Sequence, residues 1–222
     1  MSVGTGICGC VFDFDGTIIL SEHVHMRAWE DLSKSESKRL PDDFLAKSVG
    51  MSDSQCTAIL FAAWHGYMPE SEILERKRFY YMERCPDECV LVSGVSDTIK
   101  SLFDRGIPLA LATSSSRGEV LPVLEQWGLL KKFLRLWTVE DVAHPKPDPE
   151  IYQGASGSLG LEPRQCLVFE DSMAGVQSAR AAGCQLVTLQ TLYDEAKLGP
   201  AIISIHDYQD ERLHALLKTI GH

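Results

Sequence analysis

Apolar residues form four short runs along the chain, and each run stops abruptly at polar or small residues. The runs cover 7–14, 107–113, 165–169 and 184–189. Short runs that are apolar at almost every position are typical of strands buried on both faces of a sheet. We therefore expect four buried strands.

Helical patterns fill the stretches between and after these runs. They predict helices over 95–105, 118–127, 149–159 and 172–182. Buried strands that alternate with helices are typical of α/β proteins. We therefore predict a doubly wound, Rossmann-like parallel sheet. The tail, 206–222, has an amphipathic helical pattern whose apolar side should pack on the core.

Residues 20–89 follow a different pattern, with no strand-like run. Their helical stretches cover 23–32, 52–64 and 70–84, and the last is charged along its length, which predicts a solvent-facing helix. We expect an α/β core formed by 1–19 and 90–222, with 20–89 inserted as an α-helical cap domain. The cap should lie over the carboxyl ends of the strands, where open α/β sheets bind ligands.

Charge and cysteine content narrow the range of functions. The 222 residues include 21 Lys and Arg against 31 Asp and Glu, a net charge of −10. This balance disfavours nucleic acid or an anionic membrane as a partner. No apolar run approaches the ~20 residues of a membrane span, and the start of the chain does not resemble a secretory signal. With seven cysteines, an odd number, we expect reduced thiols and a cytoplasmic location. We also expect a monomer or a weak dimer.

Two carboxylates lie at the end of the first apolar run, in Asp13-Phe14-Asp15-Gly16-Thr17. A turn at Gly16 can present both at the tip of the strand. One carboxylate can then attack phosphorus while the other handles the proton of the leaving group. The alternative is a simple capped turn, since Asp and Gly favour turns.

Three further polar segments follow later runs. Thr113-Ser114-Ser115 offers hydroxyls and backbone N–H groups to phosphate oxygens. Lys146 lies between two prolines, which stiffen its loop. Glu170-Asp171 either caps the next helix or supplies carboxylate oxygens to Mg²⁺.

The order of these four segments resembles that of the haloacid dehalogenase-like hydrolases, up to about Leu189. The nearest subgroup comprises the phosphatases and β-phosphoglucomutases that carry a helical cap. The resemblance implies that Asp13 is the nucleophile and Asp15 the general acid and base. It also implies that Lys146 balances charge around Asp13, and that Thr113 binds the phosphoryl oxygens with the Ser114 backbone.

The same resemblance implies a magnesium site and further binding residues. Mg²⁺ would be held by Asp13, the Asp15 carbonyl, Glu170 and Asp171. The other residues expected to contact phosphate or substrate are Gly16, Thr17, Ser115 and His25. His25 comes ten residues after Asp15, where the mutases have a histidine at the hinge of the cap. It would gate the acid/base there, or it is a hinge or core histidine without a catalytic part.

We therefore expect a Mg²⁺-dependent phosphatase that hydrolyses a small, sugar-phosphate-like monoester through an aspartyl-phosphate. The alternative is a mutase of the β-phosphoglucomutase type, which needs a cationic residue in the cap to hold a second phosphate. Asp53, in the loop 49–53, falls where the mutases carry arginine, and this favours the phosphatase. A third alternative is a non-catalytic protein that binds phosphorylated metabolites.

Overall fold

The chain divides into two units. The structure is a computed structural model that describes residues 6–49 and 51–221. One unit comprises Met1–Leu20 and Leu91–His222, and the other is Ser21–Val90. Gly50, in the loop 49–53, lies outside the described residues.

Six parallel strands form the sheet of the first unit, and a further pair forms a small separate ladder. Among the residues that the structure describes, the eight strands are β1 (Gly9–Phe12), β2 (Ile19–Leu20), β3 (Val90–Leu91), β4 (Leu109–Ala112), β5 (Arg135–Trp137), β6 (Cys166–Glu170), β7 (Gln185–Leu189) and β8 (Ile203–Ile205). The sheet order is β5-β4-β1-β6-β7-β8, and β2 pairs with β3. This confirms the predicted doubly wound α/β fold.

The helices of the first unit follow the strands in alternation. In residues 6–49 and 51–221, the α-helices of both units are α1 (Glu22–Ser35), α2 (Phe44–Ser48), α3 (Asp53–Ala63), α4 (Glu70–Glu88), α5 (Val95–Asp104), α6 (Arg117–Gln126), α7 (Glu150–Ser158), α8 (Met173–Ala182), α9 (Glu195–Leu198) and α10 (Glu211–Leu217). Leu213 and Leu217 of α10 are buried, as the amphipathic tail predicted.

The register of the sheet brings three strand ends together. Phe12 of β1 pairs with Leu111 of β4 and with Phe169 of β6. The ring of Phe12 stacks on that of Phe169 at 4.5 Å. Because parallel strands end at the same edge of a sheet, the residues that follow β1, β4 and β6 become neighbours.

The two edge strands of the sheet were not expected from the sequence. Each has only three residues; β5 is partly exposed, and β8 has a serine at its centre. Edge strands lack a neighbour on one side and need no continuous apolar run. The expectation of four strands was therefore correct for the buried centre and incomplete at both margins.

The second unit is helical, from α1 to α4. Ser52 caps α3 in a capping box with Gln55. The charged stretch 70–84 predicts a solvated helix face, and within it Lys77 is an exception because it has no exposed surface. Its ammonium lies 2.8 Å from Asp53 Oδ2 and 2.8 Å from His25 Nδ1. Since a buried ammonium needs a counter-ion, the aspartate compensates it.

Across the described ranges 6–49 and 51–221, no helix combines the length and apolar character needed to cross a bilayer. All seven cysteines are thiols.

Candidate active site

Asp13 stands one residue beyond the central strand β1. Its backbone N–H donates to the Phe169 carbonyl at 3.0 Å, which extends the β1–β6 ladder to this position. The residue is only 6% exposed. The ladder therefore fixes the Asp13 carboxylate at the edge of the sheet, in a nearly dry environment.

Lys146 reaches this carboxylate from the loop before α7. Its ammonium donates to Asp13 Oδ1 at 2.6 Å, to Glu170 Oε1 at 2.7 Å and to the Ala112 carbonyl at 3.0 Å. An ammonium has three N–H donors, so these three acceptors use all of them. The position of the Lys146 charge is therefore fixed by the ends of β1, β4 and β6.

Glu170 is completely buried at the end of β6. Besides Lys146, its Oε1 accepts from the Tyr152 hydroxyl at 2.9 Å. Its Oε2 accepts from the Ser172 N–H at 2.9 Å and from the Ser172 hydroxyl at 3.0 Å. Four donors thus stabilise one buried carboxylate, as a charge in an apolar environment requires.

Asp15 and Asp171 flank the turn that follows β1. The Ser115 hydroxyl donates to Asp15 Oδ2. The Thr191 hydroxyl lies 2.7 Å from the Gly16 carbonyl and 3.0 Å from Asp171 Oδ2. Gly16 has φ +69°, and a Cβ there would lie 1.9 Å from Asp171 Oδ2. Glycine is therefore required both by the turn and by the approach of the carboxylate.

Burial dominates the acid–base behaviour of the site. It raises the pKa of Asp13 to about 8, with Glu170 adding to the effect and Lys146 opposing it. Burial also raises the pKa of Asp171 well above its ordinary value. Burial alone would lower the pKa of Lys146, but the carboxylates of Asp13 and Glu170 raise it above its ordinary value. Lys146 is therefore a cation at neutral pH.

Asp13, Glu170 and Asp171 each offer one carboxylate oxygen, and these three oxygens lie within 4.8 Å of one another. All three residues are buried, and Lys146 is the cation that contacts two of them. Carboxylate oxygens are the ligands that Mg²⁺ prefers, and a divalent cation would offset the excess negative charge. Asp13 and Asp171 therefore fit Mg²⁺ as ligands, whereas both oxygens of Glu170 already accept two donors each.

Comparison with known proteins gives the family. A model of the haloacid dehalogenase-like hydrolases matches residues 10–189. The chain belongs to this family. Among curated relatives of this hydrolase, validoxylamine A 7'-phosphate phosphatase of Streptomyces hygroscopicus subsp. limoneus is 32% identical, covering 91% of this chain and 94% of the relative. Phosphorylated carbohydrates phosphatase of Thermotoga maritima is 28% identical, with coverages of 80% and 82%.

Solved structures show the same fold. The crystal structure of β-phosphoglucomutase from Clostridium difficile superimposes on this haloacid dehalogenase-like hydrolase with a TM-score of 0.80. The two chains are 19% identical, and the match covers 96% of each. At this identity the likeness concerns the fold alone.

The residues expected after β4 lie at the same edge of the sheet. Thr113 is buried, and its Oγ1 accepts from the Ser115 N–H at 3.0 Å. Ser114 is exposed, and α6 begins shortly after Ser115, at Arg117. The structure thus brings Thr113 and Ser115 close to Asp15 and places the start of a helix beside them.

Two expected site residues make none of the site contacts described above. Thr17 is completely buried, and its hydroxyl meets no hydrogen-bond partner within residues 6–49 and 51–221. His25 belongs to α1 of the helical unit, where its ring stacks on Tyr81 at 4.3 Å and lies beside Lys77. Their assignment to phosphate or substrate binding stays a prediction.

Sequence reasoning missed Tyr152, Ser172 and Thr191. Thr191 comes two residues after β7, so a search of every strand end for polar residues would have found it. Ser172 follows Glu170-Asp171 directly and has the residue type of a helix cap. Tyr152 lies in a helix pattern that predicts core packing, and nothing in the sequence indicates that its hydroxyl contacts the site.

A second group of possible ligands comprises His144 and Asp148, in the loop that carries Lys146, and Glu150, the first residue of α7. Glu150 accepts from the N–H groups of Ala143 and His144 at 2.9 and 2.8 Å. Its carboxylate therefore shapes the loop that carries Lys146.

Proposed function

We propose that this chain is a Mg²⁺-dependent phosphatase that hydrolyses a small, carbohydrate-like phosphate monoester through an aspartyl-phosphate on Asp13. The observation that carries the proposal is the contact of 2.6 Å between Lys146 Nζ and Asp13 Oδ1, within a buried group of three carboxylates. A phosphate dianion and a carboxylate repel each other, so a site for their reaction must concentrate positive charge.

Asp13 supplies the nucleophile in the first step as a carboxylate; a cation bound beside it would lower its pKa, which burial raises to about 8. One of its carboxylate oxygens bonds to phosphorus as the bond between phosphorus and the leaving oxygen breaks. Lys146, held by three acceptors, keeps its charge beside the reacting groups without reorganising. When bound to the carboxylates, Mg²⁺ supplies further positive charge for the phosphoryl oxygens.

Asp15 moves the protons. In its protonated form it donates to the leaving oxygen, and as a carboxylate it then takes a proton from the water that attacks phosphorus. That attack breaks the bond to Asp13 and restores its carboxylate. The Ser115 hydroxyl donates to Asp15 Oδ2 and fixes the orientation of this carboxyl group.

The names of two relatives and the charges of the helical unit support the proposed substrate class. Both relatives described above are named for phosphorylated carbohydrates or for a 7'-phosphate. Within the helical unit, the buried Lys77 faces Asp53 at 2.8 Å. This pair carries no net charge, whereas a mutase needs a cation for the second phosphate of its bisphosphate intermediate. The pairing favours a substrate with a single phosphate.

Phosphate release from a panel of sugar and polyol phosphates and from p-nitrophenyl phosphate tests the proposal. We expect release with Mg²⁺ and none with EDTA. After acid quenching, mass spectrometry should find a phosphoryl group on the peptide that contains Asp13. Asp13→Asn is the matched control: it changes the volume little, and it should fold normally, release no phosphate and trap none.

Two outcomes would overturn the proposal. Conversion of β-glucose 1-phosphate to glucose 6-phosphate without phosphate release would identify a mutase instead. No turnover in either assay, with binding of phosphorylated sugars retained, would identify a non-catalytic protein.

A further inference from the structure

The Tyr152 hydroxyl lies at the centre of the polar network, although the ring belongs to the apolar core. Tyr152 is completely buried in α7 and packs in a cluster that includes Val11, Ala110 and Val168. Its hydroxyl donates to Glu170 Oε1 at 2.9 Å. A buried phenol usually has a hydrogen-bond partner, and the partner of Tyr152 is a charged group of the site.

The same oxygen of Glu170 accepts from Lys146 at 2.7 Å. Lys146 Nζ also lies over the Tyr152 ring, 4.9 Å from its centroid. Tyr152 therefore contacts both members of the ion pair, one through its hydroxyl and the other through its ring.

Glu170 has little freedom to move, and Tyr152 is one of the reasons. Ser172 holds Oε2 through two donors. On Oε1 the donors are Lys146 and Tyr152. Without the Tyr152 hydroxyl, Lys146 would be the only partner of Oε1 among these contacts, so the ammonium could follow Glu170 away from Asp13.

We propose that Tyr152 is a positioning residue for phosphoryl transfer: its hydroxyl holds Glu170, and Glu170 in turn holds Lys146 against Asp13. The inference rests on the proposed function. It assigns to the hydroxyl an effect on the rate of the chemical step, with little effect on substrate binding, because Tyr152 acts through Lys146.

The chain offers a matched control in Tyr208. This tyrosine is also completely buried in the first unit, and its ring contacts Phe12 and Phe169. In the part of the chain that the structure describes, its hydroxyl has no hydrogen-bond partner. Tyr152→Phe and Tyr208→Phe therefore remove the same atom from two buried rings, and only the first removal touches Glu170.

The test compares steady-state and single-turnover kinetics of wild type, Tyr152→Phe and Tyr208→Phe with a sugar phosphate that the wild type hydrolyses. The temperature is chosen so that calorimetry shows all three folded. We expect Tyr152→Phe to lower kcat and the rate of phosphoryl transfer to Asp13 about tenfold, since a hydrogen bond to a charged group is lost. KM should change less than about twofold, and Tyr208→Phe should keep the wild-type kcat.

Equal kcat values for the two variants, with an active wild type, would overturn the inference and leave the phosphatase intact. A rise in KM at unchanged kcat would also overturn it, because it would assign Tyr152 to substrate binding. If the wild type showed no activity in any phosphoryl-transfer assay, the proposed function itself would be refuted, and the inference with it.

Discussion

Gly175 offers a sharp test of the arrangement around Glu170. It lies in the first turn of α8, where the Ser172 hydroxyl accepts its N–H at 3.0 Å. A Cβ at this position would lie 1.5 Å from Glu170 Oε1 and 2.0 Å from its Cδ. The close approach of helix and carboxylate therefore explains the glycine, which a helix would otherwise disfavour.

Two opposing effects determine how much Gly175→Ala changes the free energy of unfolding. Alanine inside a helix stabilises the folded state by up to about 1 kcal/mol relative to glycine. Against this, Glu170 must move away, which costs about 1–3 kcal/mol for overpacking and about 1.5–3 kcal/mol for a weakened hydrogen bond to its charge. We expect a net loss of about 3 kcal/mol in the free energy of unfolding. The midpoint of thermal unfolding should fall by about 6–12 °C.

Gly157→Ala is the matched control. Gly157 lies in α7, is exposed, and has no atom within 4 Å of an added Cβ. The free energy of unfolding of this variant should rise by about 0.5–1 kcal/mol. Scanning calorimetry measures both variants, and phosphatase assays should show at least a tenfold loss of kcat for Gly175→Ala alone. If Gly175→Ala were as stable and active as Gly157→Ala, the packing of Glu170 described above would be wrong.

Three further predictions concern charges and protons. Asp53→Asn should lower the free energy of unfolding by about 3 kcal/mol, because it leaves the Lys77 ammonium buried without its counter-ion. Lys77→Met should lower the free energy of unfolding by about 1 kcal/mol or less. Denaturant titration of both variants would show whether this difference exists. Burial opposes ionisation of Asp53, but Lys77 lowers the pKa of Asp53 below its ordinary value of 3.8. The stability advantage of wild type over Asp53→Asn should therefore persist from pH 7 down to about pH 4 and shrink as the pH falls further; an advantage that grows in acid would contradict the pairing. Asp15→Asn should slow hydrolysis of sugar phosphates by about 10²–10⁴-fold. It should still release a burst of p-nitrophenol from p-nitrophenyl phosphate, because that leaving group needs no proton. A normal rate with sugar phosphates would exclude Asp15 as the acid.

The sequence was informative where chemistry coincides with the end of a buried strand. β1, β4 and β6 are apolar at nearly every position, so their ends could be located to within one or two residues. Parallel strands end at one edge, and this alone places Asp13, Thr113 and Glu170 together. The resemblance to a known family suggested the chemical role of each of these residues.

Residues whose contacts depend on tertiary packing could not be predicted. A helix of mixed charge normally faces solvent, and only the packed helical unit shows that Lys77 points inward to Asp53. Tyr152 follows the apolar spacing of α7, so its ring is predictable and its hydrogen bond to Glu170 is not. Both cases depend on a partner distant in sequence, which a local pattern cannot report.

The order of strands in the sheet also constrains how the protein folds during synthesis. β1 leaves the ribosome before the other five strands of the sheet, yet it pairs at Cys10 with Leu109 and at Gly9 with Cys166. At about 5–20 residues per second, the ribosome needs about 8–30 s to reach the second of these partners. The helices of Ser21–Val90 contact one another locally and can form within that interval, whereas the apolar β1 has to wait. An incomplete chain therefore exposes β1 to aggregation, and it cannot yet hold Asp13 against Lys146.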